Sequence, residues 1–501
     1  VSVADPGPPL AGRHSALWGA RGEAWSPAGP LPDFSFAGCY CGERPIPLLP
    51  AAADVRAFGA VGDGVTDDTQ AFRRAIAATL AGAVLVPAGR YLIRDVVTLD
   101  RAGLALRGEG PRASVLVFDR TLTDAQPDWG ATTTGQRTSN YSWSGGFLRI
   151  AGDLGLRPLA PIAAPAARGQ RSVQLSSVEA LALGQWVGLQ SQDDAHRTLA
   201  RALYQGDPGP IDRLPPVSTW QAARVLGLDR MAGRVQLDRP LRVDLRPEWG
   251  PQLLSLAPRV TGSGIEGLGF EFPPAPWRGE FTELGYNAIA LDGVAHCWVR
   301  DVRIHNAESG IFVKGLHCTV EGVVLTSDKP VQAPEGYGAA RGCVGHHGIE
   351  LGGADHLVHG FDFQACYVHD LTVDGCSTAG NVFSGGRGLD LCLDHHGQAP
   401  HANLFSALDC GAGGRPWRSG GGEGLGRHAG AWTVLWGLRA AGPMALPTPG
   451  WAAPGLSLVG CDLAPGKLPG AWIERIAGLE PGDLHAAQLA RRLAAAQAGR
   501  G

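Results

Sequence analysis

The sequence predicts an all-β chain wound as a parallel β-helix, a solenoid of short strands and turns. Three observations predict it. Cysteines recur at 297, 318, 343, 366, 392 and 410, in steps of 21, 25, 23, 26 and 18 residues, each at or near a strand-like run. Such steps suit a coil of three short strands and three turns, and stacked coils set like residues about 4.8 Å apart. From about residue 258, short strand-like runs alternate with Gly, Asp or Asn. Finally, 73 glycines among 501 residues with only 18% charged residues imply many tight turns rather than long solvated helices.

The elements follow in order. Residues 1–53 are rich in Pro, Gly and Trp and read as an irregular arm. In 54–150, "DVRAF" is a strand and "GAVGDGVTDD" a turn. Thr66 or Asp67 can then cap a helix that places Ala71, Phe72, Ala75 and Ile76 on one face. The strands "AVLVPAGRYLI" and "GLALRGEG" come next, so this stretch starts the β-helix with a helix plugging one end. Residues 151–257 carry hairpin texture, "SVQLSSVEALALGQWVGLQ" and "RVLGLDRMAGRVQLDRPL", and read as an inserted β subdomain. The main β-helix occupies 258–465, where His296-Cys297 and His317-Cys318 begin equivalent coils. The recurring cysteines read as an inward core ladder, because paired Cys-x2–4-Cys zinc spacing is absent. Residues 466–501 read as a helical cap over the end coil, with Leu484, Ala487, Leu489, Ala490 and Leu493 near one face.

A formal net charge of −4 argues against nucleic-acid binding. No run of about 18 apolar residues indicates a membrane span.

Residues 54–76, "DVRAFGAVGDGVTDDTQAFRRAI", resemble the N-terminal signature of the pectate-lyase superfamily. The resemblance implies a right-handed parallel β-helix from about 54 to 465, a secreted or periplasmic location, and a polysaccharide or oligosaccharide partner. Superfamily members include lyases, hydrolases and tailspike depolymerases, so fold alone leaves the reaction open. The polygalacturonase pattern and the Arg/Lys base motifs of well-known pectate lyases are not found, so no catalytic residue is carried over.

A β-helix presents side chains in rows along a shallow groove, and titratable residues concentrate in 296–428. "GLDLCLDHHGQAPHANLFSALDCG" (388–411) is the densest stretch, and alternation turns Leu389, Leu391 and Leu393 inward and Asp390 and Asp394 outward. The candidate catalytic residues are His347, Glu350, His369, Asp370, Asp390, Asp394 and His395. Lys314, Arg341, Tyr367, His396, Trp417 and Arg418 are candidates for substrate binding. Elimination on a uronic acid needs a carboxylate neutraliser, a base and an acid, which Arg, His and Tyr can supply. Hydrolysis needs paired carboxyls, for which Glu350, Asp370, Asp390 and Asp394 provide the inventory. The expectation is a lyase on an acidic polysaccharide, with a glycoside hydrolase and a non-catalytic glycan binder as alternatives. No cofactor is required. Asp with His also suits a transition metal or zinc, and a divalent metal such as calcium is a further candidate, but no fixed ligand spacing assigns one.

Overall fold

The computed structural model describes residues 12–132, 134–330 and 342–498. The chain is a right-handed parallel β-helix built on an unbroken stack of strand pairs. Along the longest sheet, Val299, Val320, Val358, Phe383, Phe405, Leu435, Leu458 and Ile473 follow one another in register. Each packs on its neighbours one coil away, and the Phe383 and Phe405 rings stack with centroids 4.9 Å apart. A seven-stranded parallel sheet forms another face and carries the inward row Val97, Leu148, Ile289, Ile311, Ile349, Leu371 and Leu393. Both rows close on one apolar core that runs from Val55 to Leu468.

The corners explain the glycine content. Where the long strands bend, Gly267, Asp301, Gly322, Gly360, Gly385, Ala407, Gly437 and Gly460 stack with φ between 51° and 65°. Glycine enters this left-handed backbone without steric cost, and Asp is among the side chains that tolerate it. A second corner stacks Gly262, His296, His317, Asp355, Gly380, Ala402 and Trp432, with φ between 50° and 75°. The His-Cys repeat is thus a corner residue followed by an inward one. Cys297, Cys318 and Cys410 lie in the core as the ladder reading expects. Cys343 and Cys366 instead pair beside Trp277 and Val368 in a satellite cluster. All ten thiols are free.

The helix Thr69–Ala78 buries Ala71, Phe72, Ala75 and Ile76 and closes one end of the core. Its start differs from expectation. Asp68 is the N-cap residue, Asp67 accepts from the Thr69 N–H, and Thr66 is tied back to Asp63. Residues 157–255 supply a six-stranded antiparallel sheet with a core of its own around Val187, Val225 and Leu253. The C-terminal helix Leu484–Ala498 does not cover the end coil. It lies with the N-terminal arm against the outer face of the long sheet, where Leu484 packs with Phe34, Leu404 and Trp436. Gln488 fixes the arm by bonding Phe34 N–H and Pro32 C=O. Among the described residues, no helix is long and apolar enough to cross a membrane.

Candidate functional site

The seven-stranded sheet has a polar outer face. Alternation turns the residue after each inward Ile or Leu outward, giving the row Phe312, Glu350, Thr372 and Asp394. Two positions further, Lys314, Asp374 and His396 continue the face, and Gly352 between them leaves room for the Lys314 stem. At the strand starts, His347 and His369 stand in register one coil apart, preceded on its coil by His346.

A segment before the sheet supplies two glutamates to this face. Glu308 accepts from the N–H groups of Gly285 and Tyr286, and Trp277 donates to Glu283 at 2.9 Å, which hold residues 277–286 in place. Glu280 Oε1 then stands 3.5 Å from His346 Nε2 and 3.4 Å from His369 Nε2. Glu283 Oε1 lies 3.3 Å from His346 Nδ1, and Asp394 Oδ2 lies 3.3 Å from His369 Nδ1 and 2.9 Å from His396 Nδ1. His347 Nδ1 is 3.2 Å from Glu350 Oε2. Asp394 also accepts from the Gly420 N–H at 2.8 Å, which docks the glycine-rich loop over the sheet.

Glu280, Glu283, His346, His347, Glu350, His369 and Asp394 are all buried, while Lys314, Asp374 and His396 are half-buried and form the rim. Burial opposes charge throughout, and neighbours decide the outcome. Burial works against the His396 imidazolium, but Asp394 outweighs it and holds the ring up at about 10. Glu283 and Glu280 do the same for His346, at about 9. Burial and the neighbouring imidazoles push His347 well down, so it is neutral. Burial pushes Glu350 up to about 7. Asp394 stays ionised despite burial because His369 and His396 face it. Two groups here could hold a metal: Glu280 with His346 and His369, and His369 with Asp394 and His396.

Of the residues expected from sequence, His347, Glu350, His369, Asp394, His396 and Lys314 therefore meet on one face. His395, Tyr367, Asp370, Asp390 and Trp417 do not join them. His395 continues the inward row of Leu351 and Val373, is fully buried, and packs on Phe405 and Trp451. Burial holds it neutral, with a pKa of about 4. Tyr367 is also inside the core, edge-on to Phe363. Asp370 is a structural anchor that accepts from Tyr367 and Cys392 N–H and binds Arg415 at 2.6 Å. Asp390 accepts from Gly414 N–H in the same loop. Trp417 is a loop anchor, donating to Ala445 C=O and set edge-on to Trp451. Arg418 lies in that loop, its carbonyl accepting from the Cys392 thiol. Leu389 does not turn inward but is exposed. Arg341 lies outside the described residues. Glu280 and Glu283 were not expected, and two glutamates beside a tryptophan in "PWRGEFTEL" are the signal that marks them.

Residues 52–134 match the family described as rhamnogalacturonase A/epimerase, pectate lyase-like. The chain is 33% identical over 119 residues to the plasmin and fibronectin-binding protein A of Streptococcus pneumoniae, covering 21% of this chain and 16% of that protein. Among solved structures, the tailspike gp49 of Pseudomonas phage LKA1 is similar at TM-score 0.44 and 12% identity, over 81% of this chain and 67% of that one. The Gp54 tailspike of Acinetobacter baumannii bacteriophage AP22, solved with a capsular saccharide, gives 0.45 and 8%, over 81% and 56%. The mannuronan C-5 epimerase AlgE4 A-module of Azotobacter vinelandii gives 0.35 and 13%, over 81% of each chain. At such scores the coil register described above, not the likeness, establishes the fold.

Proposed function

We propose that the protein is a secreted or periplasmic carbohydrate-active enzyme that cleaves an acidic polysaccharide by β-elimination at the rim of this cluster. The observation that carries the reading is the Asp394–His396 pair on the same outward face as Lys314. Asp394 holds His396 Nδ1 at 2.9 Å, which fixes the ring and leaves Nε2 as its proton-transfer atom. Lys314 supplies a cation for a uronate carboxylate, and neutralising that carboxylate acidifies the C5 proton. Asp374 and Glu350 complete the proton-transfer inventory. The pectate-lyase-like signature over 52–134 supports a glycan substrate.

One observation favours hydrolysis instead. Glu350 and Asp374 lie on adjacent coils, and burial raises both. A carboxyl pair of that kind suits acid and base roles.

Incubation with a panel of acidic and neutral polysaccharides discriminates the readings. Elimination generates the ultraviolet absorbance of an unsaturated uronide, and His396→Gln abolishes it while the variant keeps wild-type circular dichroism. New reducing ends without that absorbance would replace the lyase with a hydrolase. Glycan retention with neither product would make the protein a binder.

A further inference from the structure

We propose that Glu280, His346 and His369 bind a divalent transition-metal ion of the zinc class, with Glu283 and Asp394 as the carboxylates that orient the two imidazoles. This goes beyond the proposed cleavage reaction and does not depend on it.

Three features of the geometry support the assignment. First, the distances fit. Zinc binds nitrogen and carboxylate oxygen at about 2.0–2.2 Å, so two ligand atoms on one tetrahedral ion stand roughly 3.4 Å apart. Glu280 Oε1 is 3.5 Å from His346 Nε2 and 3.4 Å from His369 Nε2, and the three atoms lie mutually within 4.8 Å. Those separations are long for hydrogen bonds between ionised partners.

Second, polar atoms are left over. Both ring nitrogens of His369, together with His346 Nδ1 and Glu283 Oε2, are buried without a hydrogen bond. His346 and His369 are each 2% exposed, so bulk solvent does not reach them. Orphaned buried polar atoms are rare, and each calls for an explanation.

Third, the outer partners are the ones a metal centre uses. A ligating imidazole commonly gives its other nitrogen to a carboxylate. His346 turns Nδ1 to Glu283 and His369 turns Nδ1 to Asp394, both at 3.3 Å, while Nε2 of each faces Glu280. Trp277 fixes Glu283 and Gly420 fixes Asp394. Two histidines and one carboxylate leave a coordination position open, as catalytic sites require.

The test uses the full chain, stripped with chelator, dialysed, and titrated with zinc or cobalt(II). Metal content is read by mass spectrometry and cobalt coordination by its visible absorption. A single ion per chain and a tetrahedral or five-coordinate cobalt spectrum are expected. Glu280→Gln and His369→Ala abolish tight uptake, and Asp394→Asn weakens it roughly 10–100-fold. Circular dichroism checks folding, and the near-isosteric Glu280→Gln keeps the question open to test where His369→Ala does not fold. Folded wild-type protein that takes up neither ion overturns the proposal. Binding that survives Glu280→Gln but is lost in His396→Gln also overturns it, because the ion would then sit on His369, Asp394 and His396.

Discussion

Replacing Asp370 by Ala should destabilise the fold rather than selectively remove catalysis. Its side chain is 1% exposed and contacts Arg415 at 2.6 Å, with the Tyr367 and Cys392 N–H groups each at 2.8 Å. Burial pushes its pKa up to about 6 against the pull of Arg415, so at neutral pH it is ionised. Removing one member of a buried ion pair costs about 3–5 kcal/mol, because the partner charge is left uncompensated. Two orphaned N–H donors lie within the same loss. Urea unfolding followed by tryptophan fluorescence should therefore show a lower midpoint at unchanged slope. The double variant Asp370→Ala/Arg415→Met removes the stranded guanidinium and should recover roughly 2 kcal/mol of that loss. An Asp370→Ala midpoint within about 0.5 kcal/mol of wild type would refute the reasoning. So would strict additivity of the two single variants.

Two further outcomes follow from the packing and the buried imidazoles. Phe405→Ala, which empties a ring position between Phe383 and His395, should cost about 3–5 kcal/mol in thermal or urea unfolding. Leu389→Ala, on a side chain 58% exposed, should change stability by less than about 0.5 kcal/mol, and equal losses would contradict the assigned facing. His401 is buried against Ala399 C=O, and burial lowers its pKa from 6.5 to about 4, with Arg242 and Arg168 adding to the shift. The folded state thus binds fewer protons than the unfolded state in that window. The stabilisation is complete above pH 6.5 and is lost as pH falls toward 4, by about 3 kcal/mol. Midpoints measured across that range should fall less steeply in His401→Asn than in wild type, and parallel curves would show that His401 does not contribute.

The winding was legible because its signals are local. A left-handed corner admits few residues, so Gly, Asp and His recur at coil spacing, with inward residues such as Cys297 and Cys318 just after them. Much of the site was legible through strand parity, which turns Asp394 outward and Leu391 and Leu393 inward. The same rule separates neighbours: Asp394 and His395 alternate along one strand and cannot share a face. Tyr367 lies before the strand that begins at His369, where a corner, not alternation, sets direction. Leu389 fails for the same reason, because it falls between the strand pieces Arg387–Gly388 and Leu393–His395.

Metal-ligand spacing was the harder signal, and the solenoid explains why. A zinc finger or a helical His-x-x-x-His motif brings ligands together within a single turn, so its spacing appears as a short pattern. In a coiled sheet, proximity comes from stacking instead. His346 and His369 stand on successive coils, with the His369 N–H bonded to the His346 C=O. The spacing to look for is therefore the coil step itself. The cysteine ladder displays that step in the core. Applied to histidine, the same step pairs His346 with His369 and His347 with His369 across the stack. The third ligand, Glu280, arrives from an aperiodic segment and has no counterpart in any coil. Only the register of the folded chain, with Glu308 gripping Gly285 and Tyr286, brings it to the imidazoles.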